Sequence, residues 1–152
     1  MMTFRQATLD DLEEIQQLFV GTVMSTCRSD YDMEQLNAWV SKAGDKERWK
    51  NFIVDQYFII AETDGKMAGY GSLKNGNYVN LMYVHKDFLR QGIAGRIYEK
   101  LKGESLRLGF HQLTSDVSKT AQPFFETKGF KVIRENKNVI DGIAIVNYHM
   151  SE

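Results

Sequence analysis

The chain has 152 residues, 43% of them hydrophobic and 26% charged, and its 19 basic and 20 acidic side chains give a net charge of -1. That length suits one domain with a real core, while the composition excludes a disordered chain and leaves no bulk attraction to nucleic acid or anionic membrane. Cys27 is the only cysteine, which excludes an internal disulfide and any metal site built on paired cysteines, and points to a reducing compartment.

The opening stretch MMTFRQATLDDLEE holds no apolar run of signal-peptide length. No later segment approaches the roughly 18 apolar residues of a membrane span, so a cytoplasmic protein without membrane contact is expected. Phe4 and Gln6 alternate as in a short first strand. Thr8 followed by Asp11 is an acidic variant of the capping box, opening a helix with Leu12, Ile15, Leu18 and Phe19 at helical spacing. Asp32 to Val40, carrying Met33, Leu36 and Trp39, predicts a second helix; Lys46 to Val54 predicts a third, with Ala43-Gly44 between them.

From Gln56 the period changes. YFIIAET reads as a buried strand, Asp64-Gly65 as a hairpin turn, MAGYGSL as its partner, Asn75-Gly76 as a second turn and YVNLMYVH as a third strand. FLRQGIAGRIYEKLKGESLRLGF then places Ile93, Ile97, Leu101 and Leu108 on one helix face, with Gly109 at the helix stop. HQLTSDV reads as a strand, AQPFFETKG as a short helix with Pro123 in its first turn, and KVIREN with GIAIVNYHM as a closing strand pair. The order describes an α/β mixed sheet.

The chemically informative segment is Arg90-Gln91-Gly92-Ile93-Ala94-Gly95, where a strand passes into the long helix. Main-chain N–H groups at a helix start lack intrahelical partners and can hold a phosphate, and glycine permits its close approach. The competing reading is that Gly92 and Gly95 only ease a tight turn. The segment lacks the Gly-Lys-Ser/Thr ending of a Walker loop and the G-x-G-x-x-G spacing of a dinucleotide fingerprint.

Two blocks carry a family resemblance. YVNLMYVHKDFLRQGIAGRIYEKL resembles the acetyl-CoA motif of the GNAT acetyltransferases, in which a strand ending in YV leads to Q/R-x-x-G-x-G/A. LTSDVSKTAQPFFETKGFKVI resembles that superfamily's next block, A-x-x-F-Y/F-E-x-x-G-F. With FRQATLDDLEEI and YDMEQLNAWV the resemblance spans the whole chain and points to small GNAT proteins of mixed substrates.

The resemblance implies a single domain over residues 1–152, with a mixed, mostly antiparallel sheet of about six to seven strands flanked by helices and a splayed central pair. It implies acetyl-CoA as co-substrate, no metal, and an amine acceptor that is a small molecule or a peptide. Met82, Tyr83 and Val84 would pair with the pantetheine arm, and Arg90, Gln91, Gly92, Ile93, Ala94 and Gly95 would cradle the pyrophosphate. Ser118, Ala121 and Phe125 would flank the thioester. Tyr31 and Trp39 would line the acceptor pocket, although Trp39 at helical spacing also reads as core. The chain departs from the pattern twice. Leu89 stands at the first position of the loop motif, beside Arg90, and Phe125 stands where a tyrosine often protonates the departing thiolate.

An amine with a pKa of about 10 must lose a proton before attack, whereas a thiol with a pKa of about 8.5 leaves readily as thiolate, so a base matters more than an acid. Asp116 is the first candidate, with Asn80 and Tyr78 as relays; alternatively, Asp116 caps the following helix. His85 reads as a solvated loop residue, and His111 and His149 fit no ligand pattern. Cys27 reads as a small buried hydrophobe, and Phe124 as packed with Phe125 nearer the cofactor. The closing strands offer edges for a homodimer. The alternative function is an acyl-CoA-binding sensor without turnover, favoured by the loss of a proton donor at Phe125.

Overall fold

The computed structural model describes all 152 residues. Local caps explain where the front helices begin. Asp32 accepts the Gln35 N–H at 2.8 Å while the Gln35 side chain accepts the Asp32 N–H at 3.0 Å, and α2 (Met33–Val40) starts there. Asp45 accepts the Arg48 N–H at 3.2 Å at the head of α3 (Lys46–Asp55). The Thr8–Asp11 pair forms as expected, with the Thr8 N–H on Asp11 at 2.8 Å, but it opens one 3-10 turn over Leu9–Asp11. The helix α1 (Leu12–Thr26) follows directly.

The strands are β1 (Met2–Gln6), β2 (Tyr57–Thr63), β3 (Lys66–Lys74), β4 (Tyr78–Val84), β5 (Thr114–Ser118), β6 (Lys131–Ile140) and β7 (Ile143–Ser151). The turns Asp64-Gly65 and Asn75-Gly76 take positive φ at both residues, which is what two-residue hairpins require. Asp141-Gly142 does the same, and so β6 runs four residues beyond the expected KVIREN. The long helix α4 (Ile93–Arg107) stops one residue short of Leu108, which is 47% exposed rather than on the buried face; the short helix α5 is Gln122–Thr127.

One seven-stranded sheet has the order β1-β2-β3-β4-β5-β7-β6, antiparallel except between β4 and β5. Helices α1, α2 and α3 cover one face over a core that includes Ile15, Val23, Leu36, Trp49, Ile60 and Tyr70. Helices α4 and α5 cover the other over Ile97, Leu101, Leu113, Phe125, Phe130 and Met150. Gly69 and Gly71 of β3 let α4 lie close: a Cβ at Gly71 would sit 2.6 Å from Cγ2 of Ile97. No helix is long and apolar enough to cross a membrane.

Two irregularities in β4 shape everything that follows. Val79 pairs with Leu73 and Leu81 with Ser72, so Asn80 is an extra residue, a β-bulge that puts Val79 and Leu81 on opposite faces. Pairing with β5 is confined to Tyr78↔Thr114 and Val79↔Ser115, although β4 continues to Val84 and β5 to Ser118. The central pair is therefore splayed, as expected.

Candidate active site

The splay opens a cavity of about 670 Å³ that passes between the two faces of the sheet. Of the residues expected at a site, Tyr78, Asn80, Met82, Tyr83, Val84, Ala94, Asp116, Ser118, Ala121, Phe125, Tyr31 and Trp39 line it. Arg90, Gln91, Gly92, Ile93 and Gly95 do not; they form the turn and first helical residues of α4.

Alternation along β4 decides which main-chain groups are available. The His85 N–H bonds the Ala68 carbonyl of β3 at 2.8 Å, so the peptide groups of Val84 and Met82 point the other way, into the gap left by β5. The Val84 carbonyl there accepts the Thr22 hydroxyl at 2.9 Å. The Val84 N–H faces the same gap.

At the head of α4, Arg90 (φ +61°) and Gly92 (φ +75°) are both left-handed, and Gly92 is the N-cap without a side-chain cap. The first helical bond is from the Arg96 N–H to the Gly92 carbonyl, at 3.2 Å, which leaves the N–H groups of Ile93, Ala94 and Gly95 without intrahelical partners. A Cβ at Gly92 would meet nothing within 4 Å, so glycine is needed there for its φ, not for space. One expectation is narrowed: the Ile93 side chain is 2% exposed and belongs to the core under α4, so only its main-chain N–H can serve a ligand. A Cβ at Gly95 would lie 3.8 Å from Nζ of Lys128, so that ammonium stands beside the first turn of α4.

Asp116 departs from the expectation that it caps the following helix. Ser118 makes the local turn, its Oγ accepting the Ala121 N–H at 3.1 Å. Asp116 instead lies inside β5 and accepts from the Tyr78 hydroxyl at 2.5 Å, Asn136 Nδ2 at 2.9 Å and His149 Nδ1 at 3.0 Å. Burial pushes its carboxyl up, but the bonds from Tyr78, His149 and Asn136 outweigh this and hold it below the usual carboxylate range. The Tyr78 phenol is pushed well up, first by burial, then by its hydrogen bond to Asp116 and by the Asp116 charge. Asn147 Oδ1 accepts from Asn136 (2.9 Å) and Asn138 (3.0 Å), extending the network across β7 and β6. His149 thus has a partner that the sequence reading did not give it.

Tyr31 is 4% exposed and its hydroxyl is used twice, donating to the Val146 carbonyl at 2.7 Å and accepting the Lys119 N–H at 2.9 Å. Burial pushes its pKa up to about 12, and only its ring is left to form wall. Trp39 serves both readings: it packs on the core, 5.4 Å from the Tyr31 ring, and lines the cavity. Phe125 is the buried member of its pair at 4% exposed, and Phe124, expected to be packed, is half-buried; both face the cavity. Asn80 donates to Gln56 Oε1 at 3.2 Å. His85 is engaged rather than merely solvated, its Nδ1 accepting the Asp87 N–H at 3.0 Å. Burial raises the Cys27 thiol, as suits a small hydrophobe at the wall.

Sequence reasoning missed His149, Asn136, Asn138 and Asn147, and the cations Lys42, Arg48 and Lys128. Asn136 and Asn138, like Asn147 and His149, stand two apart and so share a strand face. Only the register reveals that those faces converge on Asp116. No three His, Cys, Asp or Glu side chains come together in a metal-ligating group.

A splayed parallel pair, a bulged strand whose Met82 and Val84 peptide groups face the gap, and an uncapped helix start meet at this cavity. Residues 27–152 match the family model of the acetyltransferase (GNAT) domain, and the chain belongs to that family. It is accordingly an acyltransferase. It is 28% identical over 141 residues to the uncharacterised N-acetyltransferase YafP of Escherichia coli (strain K12), covering 92% of this chain and 88% of the relative. The crystal structure of a GCN5-related N-acetyltransferase (aminotransferase, class-II) from Rhodopseudomonas palustris superimposes with a TM-score of 0.95 at 27% identity, over 99% of this chain and 94% of the other. The PaiA N-acetyltransferase of Thermoplasma acidophilum, solved in complex with coenzyme A, shares the fold at TM-score 0.81 and 20% identity, over 100% and 98% of the two chains.

Proposed function

We propose that this acyltransferase moves the acetyl group of acetyl-CoA to a primary amine by direct attack in a ternary complex. The observation that carries the reading is the coincidence of the β4–β5 splay with the uncapped start of α4 at its mouth. The residues present fit the cofactor: main-chain donors for phosphates, a strand edge for an extended arm, and an apolar wall at Ala121, Phe124 and Phe125. Structures of relatives sharing the fold hold coenzyme A or acetyl-CoA.

When bound, acetyl-CoA supplies a thioester whose carbonyl carbon gains the C–N bond as the C–S bond breaks and the thiolate leaves. The Met82 and Val84 peptide groups align the arm beside Tyr83, whose own peptide groups face β3, the Val84 N–H polarises the carbonyl, and the turn from Arg90 through Gly95 holds the pyrophosphate, with Lys128 as a nearby cation. Ser118, Ala121 and Phe125 confine the reacting end, and Tyr31 and Trp39 wall the acceptor. As the C–N bond forms and the nitrogen becomes acidic, its proton passes to the Tyr78 oxygen while the Tyr78 proton moves along its bond to Asp116, whose low affinity for protons then releases it to water. Asn80 steadies the bulge beside them. Phe125 gives no proton, so the thiolate departs unassisted by that side chain.

This reading takes residues 1–152 as one domain, because the same sheet includes strands from both ends of the chain. The lone buried thiol supports a cytoplasmic setting. The outer edge of β6 is where a second copy would add to the sheet.

The test is CoA release from acetyl-CoA with a broad amine panel, alongside calorimetric binding of acetyl-CoA, repeated with Gly92→Glu. Turnover that Gly92→Glu abolishes supports the reading. Binding without turnover of any amine favours a sensor, and no binding by the unmodified protein refutes it.

A further inference from the structure

Only three charged residues line the cavity: Lys42, Arg48 and Asp116. They differ in how their charges are used. Asp116 is already met by three donors from Tyr78, Asn136 and His149. Lys42 and Arg48 border the cavity from exposed positions and have no carboxylate partner. Arg48 lies over the Phe52 ring at 5.4 Å, an arrangement that leaves the guanidinium edge free to bond.

Their place in the fold argues against a role in holding the cofactor's phosphates. Lys42 follows α2 and Arg48 is in α3, on the sheet face opposite α4, whose start is the phosphate site of the proposed reaction. Around them the wall is aromatic, with Trp39, Trp49 and Phe52.

Resting on the reading above, we infer that the acceptor is an amine with an apolar or aromatic body that also carries a carboxylate, bound by Lys42 and Arg48. The amine end points through the splay toward Tyr78 and the Val84 N–H. A polyamine is a poor fit, because its further ammonium groups would meet two unpaired cations and a single carboxylate already met by three donors.

The test uses matched pairs in which a carboxylate is added far enough from the amine to leave its basicity nearly unchanged, such as 4-(aminomethyl)benzoate against benzylamine. The acid member is expected to show at least a tenfold higher kcat/KM, and the double variant Lys42→Gln/Arg48→Gln to reduce that ratio at least fivefold. Both tryptophans of the chain line the cavity, so intrinsic fluorescence reports occupancy in CoA-saturated protein without requiring turnover. Benzoate and 4-(aminomethyl)benzoate should each give a saturable change that weakens at least fivefold in the double variant. Equal or better use of the carboxylate-free amines, or no saturable change with either carboxylate, overturns the inference. So does a double variant whose main loss is in acetyl-CoA affinity, since the cations would then serve the phosphates. Failure of the underlying reading looks different: unmodified protein that does not bind acetyl-CoA.

Discussion

Replacing Gly71 with alanine tests whether α4, and with it the loop at its start, is seated by the bare surface of β3. The new Cβ would stand 2.6 Å from Cγ2 of Ile97 and 3.1 Å from Cδ1 of Leu101, both fully buried. Carbon atoms rest at about 3.5–4.0 Å, so the helix must retreat by roughly 1 Å or both side chains must leave their rotamers. Ile97 is branched at Cβ and has little freedom to yield. Overpacking of this kind costs about 1–3 kcal/mol, which for a chain of this size lowers Tm by roughly 2–12 °C. The control is the same chemical change elsewhere. Gly103 lies within α4, and a Cβ there would meet nothing within 4 Å, so Gly103→Ala should raise stability by the helix-propensity gain of about 1 kcal/mol. Thermal unfolding followed by circular dichroism, with acetyl-CoA affinity by calorimetry, reads both. Gly71→Ala is expected to lower Tm and weaken the cofactor, and Gly103→Ala to raise Tm and leave affinity alone. Equal shifts in Tm for the two variants would refute the reasoning.

At the loop, Gly92→Ala should cost about 1 kcal/mol for its left-handed φ yet retain acetyl-CoA binding, whereas Gly92→Glu should abolish binding in calorimetry, because only the second adds a negative charge to the anion site. Asp116→Asn is expected to lower kcat about 100-fold or more, measured by CoA release. The same variant has a stability signature of definite sign. A carboxyl held below its ordinary range contributes stability that is present above the unfolded pKa and is lost as pH falls through the folded one, so Asp116→Asn should flatten the acid limb of a plot of Tm against pH. Tyr31→Phe removes a hydroxyl that bridges the Val146 carbonyl and the Lys119 N–H; with both left unmatched, urea unfolding should show a loss of about 1–3 kcal/mol.

The sequence carried the architecture well where local chemistry dictates it. Hairpin turns at Asp64-Gly65 and Asn75-Gly76, the Thr8–Asp11 pair and the glycine turn into α4 are set by a few adjacent residues and appear where expected, while the caps at Asp32 and Asp45 are equally local signals that the sequence reading did not use. The turn at Asp141-Gly142 is the same two-residue signal, and a reading that ends the strand at KVIREN does not use it. What local reading could not reach is register. The bulge at Asn80 exists only relative to β3, and the meeting of Tyr78, Asp116, Asn136 and His149 depends on the lateral order of four strands that are scattered along the chain. Lys42 and Arg48 are exposed cations, and only the fold shows that both border the cavity.

The cavity wall is of two kinds, and this has a consequence for how such a protein can diverge. Toward α4 the useful groups are peptide N–H groups of β4 and of the helix start, which nearly any residue supplies. Toward α1, α2 and α3 they are side chains: Trp39, Lys42, Arg48, Trp49 and Phe52. A few substitutions there can exchange one acceptor for another while the donor side persists.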